Sequence, residues 1–123
     1  QAAEILNRLR QPFNVNSIAL AAAAAAVGDS AHVRQTVALN DTGVKALTAG
    51  MRSLGLKVIP SAGNFVLVDL ARPAGPVYEA LLRQGVIARP VGNYGLPNHL
   101  RVSTGTVEQN ARFLSALTTA LKP

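Results

Sequence analysis

Apolar positions recur with a helical period through the first half of the chain and with a period nearer two through much of the second. Residues 2–10 place Ile5, Leu6 and Leu9 on one side, which predicts a short amphipathic helix that Pro12 bars from continuing. Asn14 or Asn16 can cap a second helix over Ser17 to Val27, where alanine, the best helix former, dominates and Gly28 is placed for a left-handed C-cap. Six consecutive alanines present no bulky side chain, so this helix either lies close against another surface or is simply a good helix; both readings stay open. Asp29 or Ser30 caps a third helix running to about Leu54. Its Val33, Val37, Val44, Leu47, Met51 and Leu54, spaced by three, four and seven, predict one buried stripe, weakened mid-way by Gly43.

From Gly55 onward the pattern changes. Lys57-Val58-Ile59-Pro60 predicts a short strand, and Asn64 to Leu70 a longer one, apolar on both faces as in the centre of a sheet. Pro73 to Gln84 returns to a helix with Val77, Leu81 and Leu82 inward and Gly85 as its stop. Val86 to Arg89 predicts a strand, Pro90 to Asn98 a loop, and His99 to Thr104 another strand. Thr106 and Gln109 have capping-box spacing and open a last helix whose stripe is Phe113, Leu114, Leu117 and Leu121. Helices followed by strands mixed with helices predict an α/β chain of the α+β two-layer type, one small sheet packed on helices.

Composition narrows this picture. At 123 residues, 49% of them hydrophobic, the chain is expected to be a single small domain with a packed core. Alanine supplies 21 residues and aromatics only five, so the core falls to Leu and Val. The absence of cysteine excludes a disulfide scaffold, thiol catalysis and a Cys-ligated zinc site, and fits a reducing, cytoplasmic compartment. The net charge of +6 is scattered, with no basic run and few aromatics between the basic residues, which argues against a nucleic-acid partner. The continuously apolar stretch Ile18 to Val27 is too short for a membrane span. His32 and His99 are far apart and have no carboxylate cluster, so no metal site is expected. Gln1 opens the chain without an initiator Met and within a helical pattern, as expected for part of something longer.

The strongest candidate for chemistry is Arg101. Alternation in His99-Leu100-Arg101-Val102-Ser103 sends Leu100 and Val102 to one face and Arg101 to the other. On a solvated face Arg101 is an ordinary surface charge. On a covered face its guanidinium needs an oxyanion, and its planar fork suits a carboxylate or phosphate. Arg89 ends the preceding predicted strand, so the two arginines can flank one anion, and the loop between them adds the Tyr94 phenol or is a plain connection. Asn64 follows Gly63 at the mouth of the central strand, as a ligand-facing amide or a turn residue. No Walker, G-x-S-x-G or G-x-G-x-x-G pattern occurs.

Four separated segments, in order, resemble a known family: Arg10-Gln11-Pro12-Phe13-Asn14-Val15-Asn16-Ser17, Pro60-Ser61-Ala62-Gly63-Asn64-Phe65-Val66, Gly85-Val86-Ile87-Ala88-Arg89-Pro90-Val91 and His99-Leu100-Arg101-Val102-Ser103-Thr104-Gly105. With Glu108-Gln109-Asn110 and Arg112-Phe113-Leu114, they look like the C-terminal part of the histidinol-phosphate aminotransferases. Threonine-phosphate decarboxylases and some aromatic aminotransferases share the pattern. The resemblance implies the small domain of a fold type I, pyridoxal-phosphate-dependent homodimer of histidine biosynthesis. Such an enzyme exchanges an amino group between histidinol phosphate and 2-oxoglutarate. By that likeness Arg101 would hold the substrate carboxylate or phosphate, Arg89 would help with the second anion, Asn64 and Tyr94 would line the substrate side, and Asn14 and Asn16 would lie near the cofactor and subunit boundary.

One departure is large. Lys45, Lys57 and Lys122 are the only lysines, and none has the family's Ser-Lys cofactor context. The Schiff-base lysine and the large cofactor-binding domain are therefore expected to precede residue 1, leaving this chain alone without catalytic residues, pyridoxal phosphate or activity. A free-standing anion-binding or interaction module descended from the family is the alternative.

Overall fold

The computed structural model describes residues 2–10 and 13–122, in two compact units, 1–35 and 36–123. Pro12, the expected end of the first helix, lies outside the described residues.

In the first unit, helix α1 (Ala2–Leu9) carries an Arg8–Glu4 ion pair one turn apart at 3.5 Å, and its Ile5, Leu6 and Leu9 are exposed. Helix α2 (Ser17–Gly28) is capped by Asn16, whose side-chain oxygen accepts from the Ala19 amide at 2.8 Å. Gly28 is not the left-handed cap its position suggests. It stays in the helix, and Asp29 ends α2 by donating its amide to the Ala26 carbonyl. The Asp29 carboxylate then accepts from the His32 amide at 2.9 Å and caps helix α3 (Ser30–Ser53). One acidic residue thus stops one helix and starts the next, which leaves no position for a glycine cap.

The second unit is an antiparallel sheet of four strands, β1 (Lys57–Ile59), β2 (Phe65–Asp69), β3 (Arg89–Val91) and β4 (Leu96–Ser103), in the order β1-β2-β4-β3. Helices α4 (Ala74–Arg83) and α5 (Val107–Ala120) and the C-terminal half of α3 bury Leu47, Met51, Leu81, Phe113 and Leu117 against Val58, Val66, Val68, Leu100 and Val102 of the sheet. This is the expected α+β arrangement of a small sheet packed on helices. The stripe along α3 is shorter than its spacing suggests: Leu47 and Met51 are fully buried, whereas Val33 and Val37 are 51% and 54% exposed. The helix is continuous through Gly43, whose bare Cα lets it approach the end of β4. A Cβ there would lie 3.0 Å from Asn110 Nδ2 and 3.2 Å from Thr104 Cβ.

Strand β3 begins at Arg89, three residues after the predicted start. Gly85, at φ +70°, closes α4 in the left-handed conformation, and the Val86 amide still donates to Leu81 at the helix end. The chain is thereby held away from β4 until Arg89, and Ile87 is 83% exposed. The expected loop from Pro90 to Asn98 shrinks to the short turn Gly92–Tyr94 followed by Gly95. Pro90 is tolerated because β3 is an edge strand with a register shift after it, and Pro97 lies beyond the part of β4 that pairs with β2. The capping box of α5 forms as expected, with Thr106 and Gln109 bonding reciprocally. Among the described residues no helix is long and apolar enough to cross a membrane.

Leu100 is fully buried at the centre of β4. Leu100→Ala is expected to destabilise the protein by about 2–5 kcal/mol, measured as a lower midpoint in urea unfolding with the slope unchanged.

Candidate functional site

Burial of Leu100 and Val102 against the helices turns His99, Arg101 and Ser103 to the opposite face of the sheet. The antiparallel register sets Arg101 directly between Leu67 of β2 and Arg89 of β3. Two guanidinium groups opposite each other on neighbouring strands repel, a destabilising pair unless an anion lies between or beside them. They share a cleft of about 530 Å³ bounded by residues 85–89, the end of β4 and the first turns of α5. Ser103, Thr104, Gln109, Asn110 and Arg112 also line it, and among the described residues no Asp or Glu does. A third cationic group, Arg112, donates to the Gln84 carbonyl at 3.3 Å and so is tied to the end of α4.

Arg101 is oriented from one side. Its guanidinium carbon lies 5.2 Å from the centre of the Phe65 ring, a cation–π contact. Its Nε is buried and has no hydrogen-bond partner among the described residues. A buried donor of this kind is costly until an acceptor arrives. Phe65 is missing from the candidates drawn from sequence, although the period of two that exposes Arg101 also puts Phe65, opposite Ser103, on the same face. Next along that face, His99 Nε2 stands 4.0 Å from Asp69 Oδ2, and Lys57 lies opposite Asp69 on β1. Among the described residues no group of three His, Cys, Asp or Glu could hold a metal.

Asn64 immediately precedes β2. Its carbonyl accepts from the Thr104 amide at 2.9 Å, and its residue is exposed beside the Phe65–Arg101 stack without lining the cleft. The same turn is held from α3, where Asn40 Nδ2 donates to the Gly63 carbonyl at 3.2 Å. Tyr94, 66% exposed in the turn between β3 and β4, does not line the cleft either. Asn16 is committed to capping α2, and Asn14 is exposed just before it. Asn110 is the one buried polar residue of the described core. It spends its carboxamide on a single glycine, accepting from the Gly105 amide at 2.9 Å and donating to the Gly105 carbonyl at 3.1 Å.

At the mouth of α5 the Glu108 carboxyl is held below its ordinary value near 4.5, chiefly by its own backbone N–H and then by the Thr106 hydroxyl. The folded state therefore binds this proton less readily than the unfolded chain. The contribution is fully present above the unfolded value and is lost as pH falls through the lowered one. Glu108→Gln is expected to flatten the acid limb of the stability–pH curve; a limb identical to that of the parent would contradict this placement.

Comparison with known families matches residues 1–117 to the aminotransferases of class I and II. The chain is 59% identical over 123 residues to histidinol-phosphate aminotransferase 2 of Methylococcus capsulatus, covering 100% of this chain and 33% of that protein. It is 62% identical over 115 residues to histidinol-phosphate aminotransferase 2 of Pseudomonas aeruginosa, covering 94% of this chain and 31% of that one. The structure matches histidinol-phosphate aminotransferase from Sinorhizobium meliloti, solved in complex with pyridoxal-5'-phosphate. That match has a TM-score of 0.82 at 25% identity and covers 97% of this chain and 33% of the other. The chain spans about a third of the length of the relatives it matches.

Proposed function

The chain belongs to the class I and II aminotransferases, and on that premise we propose that it is the substrate-anion-binding small domain of a histidinol-phosphate aminotransferase. The observation that carries this reading is the Arg89–Arg101 pair, two cations on adjacent strands sharing a cleft that no carboxylate lines among the described residues. In one half-reaction Arg101 grips the carboxylate of glutamate, and in the other the phosphate of histidinol phosphate. Phe65 packs against one side of the guanidinium and leaves its donor edge to the ligand. Arg89, at the exposed edge of the cleft, adds charge for the second, bulkier anion. By the family likeness Asn64 and Tyr94 belong to the substrate side of the intact enzyme, and Asn14 and Asn16 to its cofactor side and subunit boundary.

Pyridoxal phosphate supplies the electron sink for amino-group transfer and needs a lysine amine for its aldehyde. Lys45 is exposed on α3, Lys57 starts β1 opposite Asp69, and Lys122 follows α5. None lines the Arg89–Arg101 cleft. The residues present do not fit that role. We place the lysine in a large domain outside this chain. The apolar side chains of α1 and α2, including Leu9 at 76% and Ile18 at 81% exposure, are surface for that domain and for the second subunit of a homodimer to cover. Without cysteine, the chain suits the cytoplasm.

Two measurements test this reading. The purified chain mixed with pyridoxal phosphate is expected to show neither a Schiff-base absorption band nor turnover of histidinol phosphate; both together would overturn it. In the complete enzyme, Arg101→Ala is expected to lower kcat/KM for glutamate and for histidinol phosphate by about 100-fold or more, since each loses a charge-assisted bidentate partner. Arg101→Lys is expected to recover only part of that, and unchanged kinetics would return Arg101 to an ordinary surface charge.

A further inference from the structure

Asn40 is the one polar side chain of α3 whose hydrogen bonds reach out of the helix to other segments of the second unit, among the described residues. Its carboxamide is used at both ends. Nδ2 donates to the Gly63 carbonyl at 3.2 Å, and Oδ1 accepts from the Thr104 hydroxyl at 2.7 Å. Those partners lie 23 and 64 residues further along the chain. Thr104 completes the clasp, donating its amide to the Asn64 carbonyl at 2.9 Å with its hydroxyl 3.1 Å from the same oxygen.

Helix α3 does not require this arrangement. Asparagine is a poor helix former, and a half-buried carboxamide can be satisfied by water. What the clasp does set is the separation between two segments that carry the site. Asn64 and Phe65 follow Gly63 directly, and Thr104 stands three residues beyond Arg101 on β4. If the turn slides along β4, the Phe65 ring leaves the Arg101 guanidinium and the Asn64 amide changes its approach to whatever Arg101 holds.

We infer that Asn40 and Thr104 are positioning residues for substrate-anion recognition, holding Asn64 and the Phe65–Arg101 stack in the geometry that receives a carboxylate or phosphate. The inference rests on the assignment of Arg101 as the anion-binding residue. It follows that their removal weakens capture of the anionic substrate more than the chemistry that follows. It follows also that the two side chains act through one shared hydrogen bond.

The test is steady-state kinetics of the complete holoenzyme with glutamate as amino donor, comparing Asn40→Ala, Thr104→Val, the double variant, Thr104→Ser and Arg101→Ala. Asn40→Ala and Thr104→Val are each expected to raise KM about 5- to 10-fold with kcat within about twofold. The double variant is expected to be no worse than Asn40→Ala alone, because the shared bond is lost only once. Thr104→Ser keeps the hydroxyl and is expected to restore KM relative to Thr104→Val. Faster hydrogen exchange at the Thr104 amide in Asn40→Ala, at an unchanged global unfolding midpoint, would report the clasp opening in the folded protein. The inference is overturned if Arg101→Ala raises KM while Asn40→Ala and Thr104→Val do not, or if those two effects multiply in the double variant. It is overturned equally if the variants lower only the melting temperature. If Arg101→Ala itself leaves KM unchanged, the assignment of the site fails first and the inference falls with it.

Discussion

The site depends on which way one strand faces. Leu100 and Val102 have the buried face of β4 to themselves, and the period of two leaves Arg101 no orientation but the opposite one. A slip of one residue would push the guanidinium into a core of Leu, Val and Phe, where an unpaired charge is strongly disfavoured. Hydrophobic burial thus aims a charge. The neighbouring strands inherit the constraint through register: Leu67 and Arg89 flank Arg101, while Phe65 lies opposite Ser103 and Asp69 opposite His99. The charged face of the sheet is the complement of its apolar one, set by the same alternation.

Around that strand the carboxamide side chains do work that backbone would do in a regular element. Asn110 gives one glycine both the donor and the acceptor that a neighbouring strand would supply, just where β4 stops and α5 starts. Asn40 does something similar for two different partners, tying α3 to the turn before β2 and to the end of β4. Two helices, α3 and α5, and the ends of two strands, β2 and β4, are brought to a common register near the cleft by amides, whose hydrogen bonds do not depend on protonation state. The arginines are then free to meet an external anion.

Much of this was legible in the sequence where the signal is local. The capping box of α5, the Asn16 cap of α2, the stop at Gly85 and the alternation around Arg101 each follow from a few adjacent residues. The misplacements came where the partner is distant. Val33 and Val37 have the spacing of a buried stripe, yet burial belongs to the part of α3 that meets the sheet and α5. Val86 to Ala88 has strand composition, but the Val86 amide is still engaged by Leu81 of α4. Pro90 and Pro97 read as loop residues because their tolerance in a sheet depends on edge position and register, which appear only once the strands are paired. Phe65 and Asn40 carry no sequence signal for the same reason: an aromatic ring in a strand and an amide in a helix say nothing of a site until Arg101 and Gly63 are beside them.

The strand order has one more consequence, for the time course of assembly. β1 and β2 are neighbours in sequence and can zip as a ladder once residue 69 has left the ribosome. β3 cannot: its pairing partner is β4, which on its other side is also the partner of β2. The strand that joins the two halves of the sheet is thus the last to be synthesised, and α5, which seals its apolar face, follows it. Until then β2 keeps an open edge and Val66 and Val68 have no β4 beside them. During translation the nascent chain therefore passes through an interval of exposed apolar strand that ends only once β4 and α5 are available to cover it, the stage at which a chaperone has most to shield.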